Sequence, residues 1–259
     1  MRDVSARLLE NERIGPRLCL LRLEAPEIAA RALPGQFVAV RAAEGFFPLL
    51  RRPMSICAVE DSSLLLLVKV VGVGTRLLYE AEPGAHLHLL GPLGRPFEVE
   101  GDFEVAVLFG GGVGVAPLVF LERELRRRGR RVCTLLGART ASELVLRHLE
   151  DPFVATEDGS AGLRGTVLDL WRIRLQGHIR GRMKWFSCGP LAMLRALAWE
   201  SQAGGWEHEV ALETPMGCGF GVCQGCVVPL RGPRPRYGLA CMEGPVFKAQ
   251  EVNWDALGL

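Results

Sequence analysis

The chain has 259 residues, of which 49% are hydrophobic and 23% charged, and its formal net charge at pH 7 is +2. Such a small net charge does not favour a protein that binds nucleic acid or a membrane surface through its overall field. The length favours two or three compact domains, and no stretch approaches the roughly 20 apolar residues that cross a bilayer.

The N-terminal segment MRDVSARLLENERIG has neither the apolar core nor the cleavage site of a signal peptide. We therefore expect a cytoplasmic protein, in a reducing compartment where clustered cysteines are metal ligands or redox groups rather than disulfides. The densest basic run, residues 126–131, is compatible with a patch that binds nucleic acid. The favoured interpretation is a solvated helix end, where Arg complements the helix dipole.

Residues 1–98 contain short apolar runs separated by Gly and Pro, a pattern that predicts a small antiparallel β-barrel or sandwich. The runs are ARLLENERIG, RLCLLRLEAP, QFVAVRAAE, SICAVE, SLLLLVKVV and AHLHLL. From about residue 102 the pattern changes, and strands alternate with helices. An apolar strand at 105–109, a glycine loop at 110–114 and a helix at 116–128 begin a predicted doubly wound parallel α/β domain.

Three motifs in the first third have residues that a packed barrel does not need: PGQFV at 34–38, RRPMSI at 51–56 and KVVGVGTRLL at 69–78. RRPMSI, at 51–56, places a guanidinium, a stiff turn and a hydroxyl close together, and an Arg fork matches a diphosphate. GVGT, at 72–75, supplies backbone that can approach a phosphate, although such a run is more often only a turn. Together and in this order, the three motifs resemble the FAD-binding domain of the ferredoxin reductase superfamily.

This resemblance implies that Arg52 binds the FAD diphosphate, that Gly74 and Thr75 clasp it, and that Ser55 lies near the flavin ring. Met54 stands where many relatives carry Tyr, so the usual aromatic cover of the ring is absent or comes from elsewhere. The remaining residues assigned to this cofactor are Pro53, Met54, Leu67, Val68 and Lys69.

The glycine loop GGGVGVAP lies at the first strand–helix turn of the middle region, where a doubly wound sheet binds a dinucleotide diphosphate. Its spacing is not G-x-G-x-x-G. It is similar to the G-G-x-G-x-x-P loop of the superfamily's NAD(P)H domain. The resemblance assigns five residues to the nucleotide: Gly111, Gly112, Gly114, Ala116 and Pro117.

Two further runs in the middle region resemble that domain. SCGP, at 187–190, is similar to its C-G-P run, which places Cys188, Gly189 and Pro190 beside the nicotinamide. In isolation Cys188 is better explained as a buried small residue. TEDGS is similar to the T-D-D-G-S segment and adds Asp158. Arg139 would suit the 2′-phosphate of NADP, but relatives that use NAD also carry Arg there, so the choice stays open.

The cysteines near the C-terminus follow the spacing Cys218-x4-Cys223-x2-Cys226, and fourteen residues separate Cys226 from Cys241. This is the ligand run of plant-type [2Fe–2S] clusters, and the glycines between them let backbone N–H groups point at the sulfurs. A zinc ribbon is the main competitor, but it usually shows two C-x2-C pairs. We predict that these four cysteines hold a [2Fe–2S] cluster and that Cys19, Cys57 and Cys133 are core residues.

The segments 213–229 and 238–247, ETPMGCGFGVCQGCVVP and GLACMEGPVF, resemble the electron-transfer subunits of dihydroorotate dehydrogenase B. The resemblance covers the chain in order: an FAD barrel at 1–98, an NAD domain at 99–204 and a cluster domain at 205–259. The small subunits of NADH-dependent ferredoxin:NADP reductases end similarly but usually carry Asp at the first cysteine. Cys218 therefore favours the dihydroorotate family.

The resemblance implies FAD, a [2Fe–2S] cluster and NAD in one chain, with Ser55 and Cys188 beside the reacting rings. Electrons would pass from the FMN of a dihydroorotate dehydrogenase catalytic subunit through the cluster and FAD to NAD⁺, in pyrimidine biosynthesis, within a heterotetramer of two of each subunit. Two alternatives stay open: a reductase subunit serving a ferredoxin, hydrogenase or sulfur reductase, and a non-enzymatic regulator with a zinc site. None of the five histidines receives a role.

Overall fold

The computed structural model, which describes residues 1–45 and 47–258, begins with a closed six-stranded antiparallel barrel. Its strands are hydrogen-bonded in the order β1-β2-β5-β4-β3-β6, and β6 returns to β1. The bounds are β1 Arg2–Gly15, β2 Leu18–Glu24, β3 Phe37–Arg41, β4 Arg52–Glu60, β5 Ser63–Lys69 and β6 His86–Leu93, with helices α1 Pro26–Ala29 and α2 Val73–Glu80 in the connections. The barrel prediction is confirmed.

A seven-stranded sheet follows, in the order β10-β9-β8-β7-β11-β12-β15, in which only β15 runs antiparallel to its neighbour. Its strands are β7 Val105–Gly111, β8 Arg131–Ala138, β9 Phe153–Thr156, β10 Leu163–Arg164, β11 Met183–Cys188, β12 Glu207–Ala211 and β15 Val246–Lys248. An antiparallel pair, β13 Val227–Leu230 and β14 Arg236–Leu239, completes the strands of the described residues.

Three helices cover both faces of the sheet: α3 Ala116–Arg127, α4 Val167–Leu170 and α5 Leu191–Gly204. Leu118 of α3 packs on the face that carries Leu108, whereas Leu170 of α4 and Leu197 of α5 pack with Val107 on the opposite face. The doubly wound prediction is therefore confirmed. Single 3₁₀ turns lie at Gly112–Val115, Ala141–Glu143, Ala249–Glu251 and Trp254–Ala256, and a π-helical turn, Trp171–Leu175, follows α4.

Strand β5 connects the barrel to the second domain, because its two faces pack against different cores. Leu66 and Val68 point into the barrel core, while Leu67 packs outside it with Val115 and Ala116 at the start of α3. A strand buried on both faces has a continuous apolar sequence, which explains the run SLLLLV.

The C-terminal segment is interleaved with the nucleotide domain. Strands β12 and β15 both follow residue 205, yet both belong to the central sheet. The segment between them packs over one end of the sheet and over the barrel. The domain bounds 1–98, 99–204 and 205–259 stay predictions. Within the described residues, no helix is both long and apolar enough to cross a membrane.

Candidate functional site

The two FAD motifs meet at the start of α2. The Arg52 side chain, from the first residue of β4, lies across Gly74, where a Cβ atom would come within 2.6 Å of the Arg52 Cζ and 2.8 Å of its Cδ. Only glycine leaves room for the guanidinium at this place. The fold thereby brings a cation to the N-terminal turn of a helix, whose free N–H groups and partial positive charge also favour an anion.

The Thr75 hydroxyl shapes this turn. Its Oγ accepts hydrogen bonds from the backbone N–H groups of Val71, at 2.9 Å, and Gly72, at 3.1 Å, and it donates to the Gly72 carbonyl at 3.1 Å. Thr75 is buried. It therefore supports a diphosphate site by fixing the backbone of the turn, and its hydroxyl is already engaged.

The other residues predicted for FAD lie on β4 and β5. Met54 packs against the barrel core, and Ser55 pairs with Phe37 across β3 and β4. Because the side chains of Leu67 and Val68 are buried, only their backbones can face a cofactor. Pro53 and Lys69 are exposed. These assignments stay predictions.

The two nucleotide motifs meet at the carboxyl ends of β7 and β11, which are neighbours in the sheet although far apart in sequence. A Cβ atom on Gly114 would lie 2.6 Å from the carbonyl carbon of Cys188, and one on Gly111 would lie 2.8 Å from the Met193 sulfur. The strand order reverses between β7 and β11. Doubly wound sheets bind their ligands at this kind of switch point.

A cavity of about 1060 Å³ opens at this point, large enough for a dinucleotide. Gly111, Gly112, Gly114, Gly189 and Pro190 line it. The predicted residues Ala116 and Pro117 are buried at the start of α3, beneath the loop. Four charged residues line the end of the cavity near β8: Lys69, Arg139, Glu143 and Glu157. Of these, Glu143 and Glu157 received no cofactor role from the sequence.

Asp158 occupies the turn after β9. Its carboxylate accepts hydrogen bonds from the Ser160 hydroxyl at 2.6 Å and from the Ser160 N–H at 2.9 Å, and these bonds hold the pKa of Asp158 below its usual value. The side chain is exposed, and the neighbouring Glu157 lines the cavity. The assignment of Asp158 to the cofactor stays a prediction.

Cys188 is fully enclosed at the end of β11. Burial raises its pKa well above the ordinary value, and the Glu213 carboxylate adds to the shift. The thiol is therefore protonated at neutral pH, and it packs in the apolar cluster that contains Leu108 and Phe186. The cavity is lined by the neighbouring Gly189 and Pro190, and the assignment of Cys188 to the nicotinamide stays a prediction.

His208 lies between the end of β11 and α5. Its Nε2 lies 2.8 Å from the Ser187 hydroxyl and its Nδ1 lies 3.0 Å from the Ser201 hydroxyl. Burial lowers the pKa of His208 to about 3, so a neutral imidazole links β11 to α5. No sequence pattern identified this residue, because its two partners are brought to it only by the packing of β11 and α5 around β12.

The four predicted cluster cysteines form two pairs. The sulfurs of Cys226 and Cys241 are 3.2 Å apart, and the Gly221 N–H points at the Cys241 sulfur at 3.2 Å. In the second pair, the Cys223 N–H donates to the Cys218 sulfur at 3.4 Å. Burial raises the pKa of Cys241 to about 12. For Cys218, slight burial is outweighed by backbone N–H donors, which lower the pKa to about 6.

Two pairs of thiols suit a binuclear cluster, in which each iron takes two thiolates. Backbone N–H groups directed at the sulfurs also suit a cluster, since they stabilise its negative charge. The residues present fit a [2Fe–2S] cluster.

Comparison with known proteins agrees with this geometry. Residues 213–253 match the family model described as the iron-sulfur cluster binding domain of dihydroorotate dehydrogenase B. The chain is 36% identical over 258 residues to the dihydroorotate dehydrogenase B (NAD(+)) electron transfer subunit of Desulforamulus reducens, covering 96% of this chain and 98% of that one. The chain belongs to the family of dihydroorotate dehydrogenase B electron transfer subunits. A member from Bacillus cereus is 42% identical over 229 residues, covering 85% of this chain and 86% of its own length.

Solved structures similar to this chain share its fold over different parts of its length. The NADH-dependent reduced ferredoxin-NADP oxidoreductase has a chain with a TM-score of 0.88 and 29% identity, covering 98% of this chain and 91% of that one. The ferredoxin reductase of carbazole 1,9a-dioxygenase, at TM-score 0.66 and 21% identity, shares the fold over 79% of this chain and 66% of its own. The subunit is an iron–sulfur flavoprotein oxidoreductase with FAD, [2Fe–2S] and NAD as its cofactors.

Proposed function

We propose that this subunit passes electrons from the FMN of a dihydroorotate dehydrogenase catalytic subunit through its [2Fe–2S] cluster and FAD to NAD⁺, in pyrimidine biosynthesis. One observation carries the proposal. A single apolar core surrounds Cys226 and Cys241 and includes Phe37 of the barrel and Leu194 of α5. Because all three parts of the chain share this core, three cofactor sites would be held at fixed separations, as electron transfer requires.

In this proposal, FAD supplies the exchange of a hydride with the nicotinamide and of single electrons with the cluster. Arg52, held in the space left by Gly74, binds the diphosphate together with the turn that Thr75 stabilises. Ser55 lies beside the flavin ring, and Cys188 shapes the nicotinamide pocket with its uncharged thiol. No side chain needs to transfer a proton in the hydride step.

The nucleotide lies in the cavity between β7 and β11. The glycine loop offers backbone N–H groups to its diphosphate, at the N-terminal side of α3. Gly114, in contact with Cys188, sets the distance between the loop and the nicotinamide pocket. The cluster is held by Cys218, Cys223, Cys226 and Cys241.

The proposed partner is an FMN-containing dihydroorotate dehydrogenase catalytic subunit, in an assembly of two of each, in the cytoplasm. Exposed apolar side chains near the cluster cysteines support docking at this place. Phe220 is 40% exposed, Met242 55% and Val222 73%. An apolar patch beside a redox centre lets a partner approach closely while excluding water.

The proposal is tested first with the purified subunit, by its absorption spectrum and by iron and acid-labile sulfide assays on the same sample. We expect flavin bands, two irons and two sulfides per chain, and bleaching by NADH. The subunit is then mixed with the FMN-containing catalytic subunit encoded in the same genome. Dihydroorotate-dependent reduction of NAD⁺ should require both proteins. A colourless protein that holds one zinc would overturn the proposal.

A second candidate is a reductase subunit that serves ferredoxin or another redox partner, favoured by the TM-score of 0.88 with the ferredoxin-NADP oxidoreductase chain. The two candidates differ in the electron donor. NADH-linked reduction of a ferredoxin, together with inactivity towards dihydroorotate in the reconstituted mixture, would favour the second candidate.

A further inference from the structure

The end of the nucleotide cavity near β8 contains an ion pair that bears on nucleotide choice. Strand β8 is the second strand of the doubly wound sheet, counted from the glycine loop, and Arg139 directly follows its last residue, Ala138. In folds of this kind a carboxylate near this place binds the ribose 2′-hydroxyl of NAD, whereas an Arg accepts the 2′-phosphate of NADP. Here Arg139 and Glu143 both line the cavity.

Glu143 holds the Arg139 guanidinium with two hydrogen bonds. Arg139 Nη2 donates to one carboxylate oxygen at 2.7 Å and Nε donates to the other at 3.3 Å. The pair arises because Glu143 lies four residues after Arg139, across the turn Ala141–Glu143. The hydrogen bond from Arg139 keeps the pKa of Glu143 below its ordinary value, so the carboxylate is ionised at neutral pH.

The charges at this end of the cavity cancel. Lys69 and Arg139 supply two cations, and Glu143 and Glu157 supply two carboxylates. A 2′-phosphate would bring between one and two negative charges and would need a cation without a partner. If Arg139 turned towards the phosphate, the Glu143 carboxylate would remain beside it and repel it. A 2′-hydroxyl, in contrast, can donate a hydrogen bond to the same carboxylate.

We propose that Glu143 makes this subunit select NAD over NADP, by engaging Arg139 and by presenting a carboxylate to the ribose 2′ position. The inference rests on the proposed function, because it assumes that the cavity binds a nicotinamide dinucleotide. Glu143 thereby determines specificity. Arg139, which by sequence alone suits either nucleotide, has its guanidinium paired with Glu143.

The test compares the holoprotein with its Glu143→Gln variant. Flavin reduction by NADH and by NADPH is followed by stopped-flow absorbance, and binding of 5′-AMP and of adenosine 2′,5′-bisphosphate is measured by calorimetry. We expect the ratio of kcat/KM for NADPH to that for NADH to rise roughly tenfold, the effect of one charge-assisted hydrogen bond. The bisphosphate should gain affinity by a similar factor relative to 5′-AMP.

Part of this gain should come from the released Arg139. In the double variant Glu143→Gln/Arg139→Ala, the NADPH-to-NADH ratio should fall below that of Glu143→Gln but stay above the wild-type ratio, because the carboxylate that repels the 2′-phosphate is still missing. In the wild-type background, Arg139→Ala should change NADPH use by less than about twofold, because Glu143 already engages the guanidinium. This single variant tests the inference even if the Glu143 variant fails to fold. A large loss of NADPH use in Arg139→Ala would overturn it.

The control is Glu124→Gln on α3, which removes the same charge from a carboxylate that pairs with Arg127 and Arg128 outside the cavity. Its nucleotide ratio should match the wild type. If the wild-type protein reduces its flavin with NADH but Glu143→Gln leaves the ratio unchanged, the inference is wrong and the proposed function stands. If NADH does not reduce the wild type and 5′-AMP does not bind, the proposed function itself fails.

Discussion

Gly114 lies directly against the backbone of Cys188, so that the glycine loop after β7 and the C-G-P run after β11 form one continuous surface. A Cβ atom on Gly114 would lie 2.6 Å from both the carbonyl carbon and the carbonyl oxygen of Cys188. Backbone atoms cannot move aside as a flexible side chain can. The contact therefore fixes how far the diphosphate loop lies from the nicotinamide pocket.

A Gly114→Ala substitution should displace the loop and slow flavin reduction by NADH more than tenfold. Overpacking of this kind also costs about 1–3 kcal/mol of stability. FAD and iron content should not change, because neither the barrel nor the four cluster cysteines are among the nearest atoms to the new Cβ. Stopped-flow reduction and cofactor assays check this. Gly15→Ala is the control, since its Cβ would lie 3.7 Å from that of Leu18. A reduction rate within twofold of the wild type would show that the loop position does not matter.

Gly74→Ala should weaken FAD binding without unfolding the barrel. The new Cβ would overlap the Arg52 side chain, which is flexible enough to turn away and would then leave the diphosphate. We expect roughly a tenfold loss of affinity, as for one charge-assisted hydrogen bond. Fluorescence titration of flavin-depleted protein measures it.

The matched control for this substitution is Gly72→Ala, two residues earlier. Gly72 has extended backbone and no atom within 4 Å of a Cβ, so alanine fits there. Its FAD affinity should remain close to that of the wild type. Equal affinities in the two alanine variants would argue against Arg52 as a diphosphate ligand.

Cys241→Ser should abolish the cluster, because the variant leaves one iron with a single thiolate from the chain. Iron and sulfide should fall from two of each to a small remainder, while FAD is retained. The comparison variant is Cys133→Ser. Cys133 lies on β8 and packs against an apolar cluster of the central sheet that contains none of the four predicted ligands. Full cluster content in Cys241→Ser would refute the ligand assignment.

Lys184→Met should destabilise the protein by about 3 kcal/mol at neutral pH, since it leaves a buried carboxylate without its cation. The Lys184 ammonium is 1% exposed and lies 3.4 Å from the Glu209 carboxylate and 3.0 Å from that of Glu207. The outward-facing pair of Arg2 with Glu27 gives a control, Arg2→Met, which should change stability by less than about 0.5 kcal/mol.

The loss of stability in the Lys184→Met variant should depend on pH. Burial already raises the pKa of Glu209 above its ordinary value, and loss of the ammonium raises it further. A carboxyl group whose pKa is higher in the folded state favours folding most at low pH, and this contribution is lost as pH rises through the folded pKa. The melting temperature of the variant should therefore approach that of the wild type at about pH 5 and fall below it at about pH 8. A difference between the two melting temperatures that grows as the pH falls would contradict this explanation.

Most of the architecture could be predicted from the sequence, because the patterns that indicate it lie within short, continuous segments. Gly and Pro separate the barrel strands, and the change from short apolar runs to alternating strands and helices marks the start of the second domain. Three cluster cysteines lie within nine residues, so their convergence needs only a tight glycine-rich loop. Family membership, fold class and cofactors followed from these features and are confirmed.

The tertiary structure decided which atoms of the motifs remain free and which distant residues complete the site. The Thr75 hydroxyl is used within its own turn, the side chain of Val68 faces the barrel core, and Glu157 rather than Asp158 lines the cavity. Strands β12 and β15 join the central sheet across the expected boundary at residue 205. Strand register and burial on both faces determine where a side chain points, and they depend on partners that are remote in sequence. The cysteine spacing and the family resemblance of the motifs therefore predicted the cofactors, whereas the arrangement of Arg139 and Glu143 became apparent only in the folded chain.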